Sequence, residues 1–303
     1  MDKYPLLEKM IDAAKSDIPL GVVYPLSVPA LETVLDLIKR QLCTPILIGP
    51  RDLILELAAK EKISLDGIEI VDTPNDPIIA AKKAVELVKQ GKLAVLMKGS
   101  LHTEDLMGPV VKRDGLRTDR RTSHLFLFEL AHYPKLLGIS DCVVNIAPNA
   151  SQKIQILKSS LEALNKLGIN DAKVAIIAAT EVVNPAMQAT IDAKEIVDTH
   201  AISPIHPATI IEGPFGFDNA ISAHSAKTKG IHSQVAGDPD LLLVPDLQVG
   251  NILYKSLVYM AGAECAGTIL GAQVPIILTS RSDSVFSRVA SAAMAILLAK
   301  QPQ

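Results

Sequence analysis

At 303 residues, 49% hydrophobic and 21% charged, the chain has enough apolar material for two cored domains and too much for a disordered one. A formal net charge of -3 argues against nucleic acid or an anionic membrane surface as a partner, and 3% aromatics without tryptophan leaves little for base stacking. Any anionic ligand must therefore be held by a few placed cations rather than by a bulk field.

The N-terminus, MDKYPLLEKMIDAAKSD, lacks the apolar core of a signal peptide, and no run reaches membrane-spanning length. Short β-branched runs then alternate with longer amphipathic ones. LGVVYP (20–25), PILIGP (45–50), IEIVDT (68–73) and LAVLMKGS (93–100) read as strands buried on both faces. Between them, ALETVLDLIKRQL, RDLILELAAKEK and IIAAKKAVELVKQG read as helices with one charged side. The basic stretch 112–121, KRDGLRTDRR, marks a shift near a domain crossover, or is simply a solvated loop. HLFLFEL, DCVVNIAP and KVAIIAAT follow as strand-like segments, and SQKIQILKSSLEALNKLG is a helix ending at Gly168. TIIEGP, LLLVPD, GTILGA and PIILTS complete the pattern. Strands alternating with helices throughout predict an α/β protein with mainly parallel sheet. Cys43, Cys142 and Cys265 are few and far apart, which fits reduced cytoplasmic thiols.

Parallel sheets place ligands beyond the carboxyl ends of their strands. The segments to watch are Gly99 to Thr103, Asn145 to Asn149, Gly213-Pro214, Pro245-Asp246 and Ser280-Arg281. Ser280-x-x-Asp283 also has capping-box spacing, so Asp283 and Ser284 are expected to cap a helix beginning near Val285. The same helix start, with the Ser280 hydroxyl and the Arg281 fork, would equally suit an oxyanion or phosphate, and the two readings are compatible. Gly250 inside a helical pattern suggests close backbone approach. No G-x-G-x-x-G follows a strand, and no G-x-x-x-x-G-K-[ST], H-E-x-x-H, C-x-x-C or G-x-S-x-G occurs. The histidines show no ligand spacing, and neither Cys142 nor Cys265 has a neighbouring base to activate it.

MKGSLHTEDLMG (97–108), SDCVVNIAP (140–148), EGPFGFDNAIS (212–222), AKTKGIHSQVAGDPDLLLVPDLQVGN (226–251) and AGAECAGTILGAQVPIILTSR (261–281), running on into SRSDS (280–284), together resemble the phosphate acetyl/butyryltransferase family. The likeness is nearest to the acyltransferase part of bifunctional enoyl-CoA hydratase/phosphate acetyltransferases and to butyryl-type members. No hydratase segment precedes it, so a stand-alone transferase is expected. The resemblance implies reversible transfer of a short acyl group between coenzyme A and inorganic phosphate, with coenzyme A as substrate and neither prosthetic group nor metal. It implies two three-layer α/β/α domains flanking a cleft, similar to isocitrate and isopropylmalate dehydrogenases, in a cytoplasmic homodimer. The first domain would comprise 1–121 and 270–303 and the second 122–269, with the active site between them.

By the same resemblance, Ser280, Arg281 and Asp283 are the candidate catalytic residues. Ser280 would bond the reacting sulfur or oxyanion, and Arg281 the phosphate or carbonyl oxygen. Candidate substrate-binding residues are His102, Thr103, Asn145, Gly213, Pro214, Asp218, Asn219, Asp246, Asn251, Ser282 and Ser284. The chain departs from acetyl-type members twice. Ser287 stands where they carry an aspartate proposed as thiol base, and Gly108 where they carry an arginine before Pro109. Asp283 is the candidate substitute base, and Arg117, Arg120 or Arg121 the candidate cation; the departures tilt the expected substrate from acetyl towards butyryl or other short acyl groups. Two rival readings are a catalytically inactive coenzyme A-binding module and, further off, a metal- and NAD-dependent dehydrogenase of the same fold.

Overall fold

The structure is a computed structural model and describes residues 3–278, 280 and 283–300. Its contacts divide the chain into two compact units, one of residues 1–120 and 266–303 and the other of residues 121–265.

The first unit opens with α1 (Pro5–Ala13), β1 (Pro19–Val23), α2 (Val28–Lys39), β2 (Thr44–Gly49), α3 (Arg51–Lys60), β3 (Glu69–Asp72), α4 (Pro77–Lys89), β4 (Val95–Lys98) and α5 (Thr103–Val111). The helices start where the sequence supplies local reasons. Proline occupies the first turn of α1, α2 and α4, where its missing N–H costs nothing. Asp76 caps α4 by accepting from the amides of Ile78 and Ile79. β1, β2, β3 and β4 pair in parallel, and their apolar residues are covered by the buried faces of the helices.

The second unit holds β5 (Ser123–Glu129), β6 (Leu137–Ser140), α6 (Ala150–Lys166), β7 (Lys173–Ile177), α7 (Gln188–Ile202), β8 (Ile210–Phe215), α8 (Phe217–Ile221), α9 (Ala223–Thr228), β9 (Leu241–Leu243) and α10 (Leu247–Tyr259). Within it the strand order is β5-β6-β9-β7-β8. β5 and β6 are antiparallel and the remaining pairs parallel. Its core gathers Phe126, Phe128, Phe215, Tyr254 and aliphatic neighbours, with Phe126 stacked on Tyr254 at 4.5 Å between ring centres. β10 (Glu264–Leu270) then leads back to the first unit, which is completed by β11 (Ile276–Ile277) and α11 (Val285–Lys300). There the order is β3-β2-β1-β4-β11-β10, with β11 parallel to β4 and antiparallel to β10.

The expected alternation is seen, with two corrections. DCVVNIAP is not a strand; the strand is the preceding LGIS of β6. Asp141 Oδ1 accepts the amides of Val143 and Val144 at 2.8 and 3.0 Å, so these N–H groups close a turn instead of a ladder. Gly213 and Pro214 do not follow their strand but lie inside β8, which runs on to Phe215. Among the described residues no helix is long and apolar enough to cross a membrane.

Candidate active site

In the first unit, Ile276 pairs with Leu96 and Ile277 with Met97. Because these strands are parallel, the chain beyond β11 leaves at the same end as the Gly99–Thr103 loop beyond β4. That loop is tied to β1 through Gly99 N to Val23 O and Ser100 N to Tyr24 O, at 2.9 and 2.8 Å. A Cβ at position 99 would lie 2.5 Å from Val23 O and 2.6 Å from Tyr24 O, so only glycine fits there. His102 and Thr103 are exposed at the start of α5, where Asp105 receives the His102 amide at 3.2 Å. Lys98, which the sequence reading did not single out, is buried at the end of β4 and donates to Leu101 O. At Gly108 a Cβ would meet nothing within 4 Å, so the position has room for a side chain it does not carry.

Beyond β11, Ser280 and Asp283 are joined in both directions. Ser280 N donates to Asp283 Oδ2 at 2.6 Å, and Asp283 N donates to Ser280 O at 3.3 Å. Ser284 is the helix cap, its Oγ accepting from Ser287 N at 2.9 Å. The expected cap is therefore present, and Ser280 is exposed at its mouth. Arg281 and Ser282, expected in catalysis and substrate binding, lie outside the described residues. Ser287 is buried in the first turn of α11.

In the second unit, Asn145 is buried and held by three neighbours. Its Nδ2 donates to Asp141 Oδ2 at 2.6 Å and to Thr122 O at 3.0 Å, while its Oδ1 accepts from Arg121 Nε at 2.7 Å. Of the three candidate arginines, Arg121 is thus oriented by a candidate site residue. Arg117, by contrast, makes a β-bridge to Ala272. Asn251 Nδ2 donates to Cys142 O at 3.3 Å, and Asp246 caps α10 through Val249 N at 2.9 Å. Gly250 is where α10 crosses this turn: a Cβ would sit 2.7 Å from Asp141 O and 3.0 Å from Cys142 Cα, which is the close approach the sequence suggested.

Asp218 and Asn219 meet in a separate network. Ser225 Oγ bonds Asp218 Oδ2 at 2.7 Å and Asn219 Oδ1 at 3.2 Å, Asn219 donates to Glu181, and Lys229 pairs with Asp218 at 3.2 Å. The hydrogen bond from Ser225 and the lysine hold the Asp218 carboxyl below its usual range. No hydrogen bond among the described residues joins this network to the Asn145 cluster. Nor do three or more His, Cys, Asp or Glu side chains converge as metal ligands would, among those residues.

Sequence reasoning also missed Asp141, which organises the turn, and Arg288, a buried guanidinium under the Ser280 turn. A signal existed for the second: Arg288 is the only charged residue between Val285 and Ala299. The His124 ring is fully enclosed against Phe126, and neither ring nitrogen has a partner among the described residues.

A mixed α/β chain with a serine turn capping the helix after its last strand is the class of protein that this fold and site define. Residues 76–296 match the family described as phosphate acetyl/butaryl transferase, and the chain belongs to it. It is 40% identical over 295 residues to a phosphate acetyltransferase of Rhizobium meliloti, covering 96% of this chain and 93% of that one. It is 37% identical over 272 residues to a phosphate butyryltransferase of Clostridium acetobutylicum, with 89% and 90% covered. The crystal structure of a branched-chain phosphotransacylase from Enterococcus faecalis V583 superposes with a TM-score of 0.81 at 30% identity, covering 93% of this chain and 99% of that chain.

Proposed function

We propose that this chain is an acyltransferase that moves a short acyl group reversibly between coenzyme A and inorganic phosphate. The observation that carries the reading, within that family, is the Ser280–Asp283 turn at the head of α11, beside the loop that follows β4. In the thioester-forming direction the coenzyme A thiol loses its proton and the thiolate sulfur attacks the acyl carbon. A tetrahedral oxyanion forms, the bond between the acyl carbon and the bridging phosphate oxygen breaks, and inorganic phosphate leaves with the electron pair. A free thiol has a pKa near 8.5, so a base or a local positive field must favour the thiolate. Asp283 is assigned as the proton acceptor, Ser280 as a donor to the sulfur or oxyanion, and Arg281 as the cation for phosphate or carbonyl oxygen. Arg121 is the arginine that supplies the second cation, since Asn145 holds it in place.

Coenzyme A is a substrate in this scheme, not a resident cofactor. The remaining substrate-binding assignments, His102, Thr103, Gly213, Pro214, Asp218, Asn219, Asp246, Asn251, Ser282 and Ser284, stand as part of the proposal. So do the domain boundaries, the cleft and the isocitrate/isopropylmalate dehydrogenase-like architecture; the division of contacts at residues 120/121 and 265/266 supports a first domain built from both chain ends. Three buried cysteine thiols fit a cytoplasmic setting.

The proposed homodimer is supported by the outer face of α10. Val249, Ile252, Tyr259 and Met260 recur at helical spacing and are exposed, Ile252 by 67% and Met260 by 86%. Ile252→Asp should shift the species seen by sedimentation velocity from dimer to monomer.

The activity is tested by following thioester absorbance with coenzyme A and acetyl, butyryl or valeryl phosphate. Turnover without added metal or nicotinamide is expected, higher with butyryl than acetyl phosphate. No turnover with any short acyl phosphate would refute the reading.

A further inference from the structure

The guanidinium of Arg288 lies beneath the turn that carries Ser280. The residue is 4% exposed, in a helix otherwise made of Val, Phe, Ala, Ser, Met, Ile and Leu up to its terminal lysine. Its Nη2 donates to Ser280 O at 2.9 Å and its Nε to Asp283 O at 3.3 Å. No carboxylate pairs with it among the described residues. Burial pushes the guanidinium below its usual range, and the charge of Asp283 opposes that only in part.

Enclosing a cation without a direct ion pair is costly, and a leucine or methionine would fill the same space more cheaply. Helix capping does not require it. Ser284 Oγ already receives Ser287 N–H, and Asp283 Oδ2 already receives Ser280 N–H. What the guanidinium adds is a brace across the turn, because its planar fork holds the carbonyls at both ends at once. Holding the Ser280 carbonyl restricts the peptide next to its Cα, and with it the direction in which the Ser280 side chain leaves the backbone.

We infer that Arg288 is the positioning residue for Ser280: its fork holds the Ser280 and Asp283 carbonyls together so that the serine hydroxyl meets the reacting acyl group. The inference rests on the catalytic role given to Ser280, and it assigns to Arg288 no contact with substrate. Arg288 therefore acts on turnover and not on substrate capture. Its effect vanishes when Ser280 is gone.

The experiment begins with wild-type turnover of butyryl phosphate and coenzyme A; failure at that step sinks the functional reading, not this one. With activity in hand, Arg288→Met and Arg288→Lys are compared by steady-state kinetics and thermal melting. Arg288→Met should lower kcat about 100-fold, the loss typical of a misplaced group, with both KM values within about threefold of wild type. Arg288→Lys, which reaches one carbonyl at a time, should recover about tenfold of that loss. In the cycle with Ser280→Ala, the double variant should be no slower than Ser280→Ala alone. If Arg288→Met does not fold, Arg288→Gln, which keeps a donor near the position of Nε but none at Nη2, must show at least a tenfold loss in kcat. A folded Arg288→Met or Arg288→Gln with wild-type kcat overturns the inference. So do losses that multiply in the double variant.

Discussion

Asp283 Oδ2 receives the amide hydrogen of Ser280 at 2.6 Å, and the Ser280 carbonyl receives the amide of Asp283 in return. The carboxylate proposed to take the thiol proton is thus also a bracket of the turn that presents the serine. One substitution separates the two duties. Asp283→Asn keeps an oxygen to accept the Ser280 amide but cannot act as a base near neutral pH. We expect Asp283→Asn to retain the melting temperature within a few degrees and to lose about 100-fold or more in kcat, in line with general-base losses of 10²–10⁴. Steady-state rates with full-strength kcat in that variant would remove Asp283 from proton transfer and leave it as a cap.

Arg281 carries the cation of the proposed mechanism. Removing one electrostatic donor aimed at a developing charge costs on the order of 100–1,000-fold in turnover. Arg281→Ala is expected to show that loss in the thioester assay, with an unchanged far-ultraviolet circular dichroism spectrum. Near-wild-type rates would assign the anion to another residue.

Gly250 lies against the Asp141–Cys142 turn with no space for a methyl group. Alanine is ordinarily the better helix former by about 1 kcal/mol. Here a Cβ 2.7 Å from Asp141 O forces α10 or the turn to move, and such overpacking costs about 1–3 kcal/mol. Gly250→Ala should therefore lower the melting temperature in calorimetry despite its gain in propensity. The shift should be accompanied by weaker substrate binding if Asn145 and Asn251 serve the proposed site.

His124 gives the protein an acid-sensitive element. Its complete enclosure lowers the imidazole pKa from 6.5 to about 4, while the charge of Asp141 opposes the shift. Between those values the unfolded chain binds a proton that the folded one does not, so stability falls as pH drops from about 6.5 towards 4. Chemical denaturation midpoints at pH 7 and pH 4.5 should show that loss, and His124→Phe should reduce the difference between them.

Much of the architecture is legible in the sequence because it is written in local periodicity. β1, β2, β3 and β4 fall on four short β-branched runs, and α6 falls on one long amphipathic pattern that ends as expected near Gly168, whose φ of +91° suits glycine. The serine cap of α11 was equally visible, since a cap is a matter of spacing within a few residues. DCVVNIAP misled because its apolar content matches a strand, while Asp141 gives the amides that follow it a nearer acceptor than a neighbouring strand would.

By itself the sequence determined the alternation of strand and helix, the family motifs and the residue types available for an acyl phosphate. Only the tertiary structure decided that Arg288 faces the Ser280 and Asp283 carbonyls, that Asn145 orients Arg121, and that α10 presses on Asp141 at Gly250. The physical reason is range. Periodicity and capping are set by neighbours along the chain. The direction of a buried guanidinium and the partner of a glycine over a hundred residues away depend on how the strands are ordered, which no local pattern encodes.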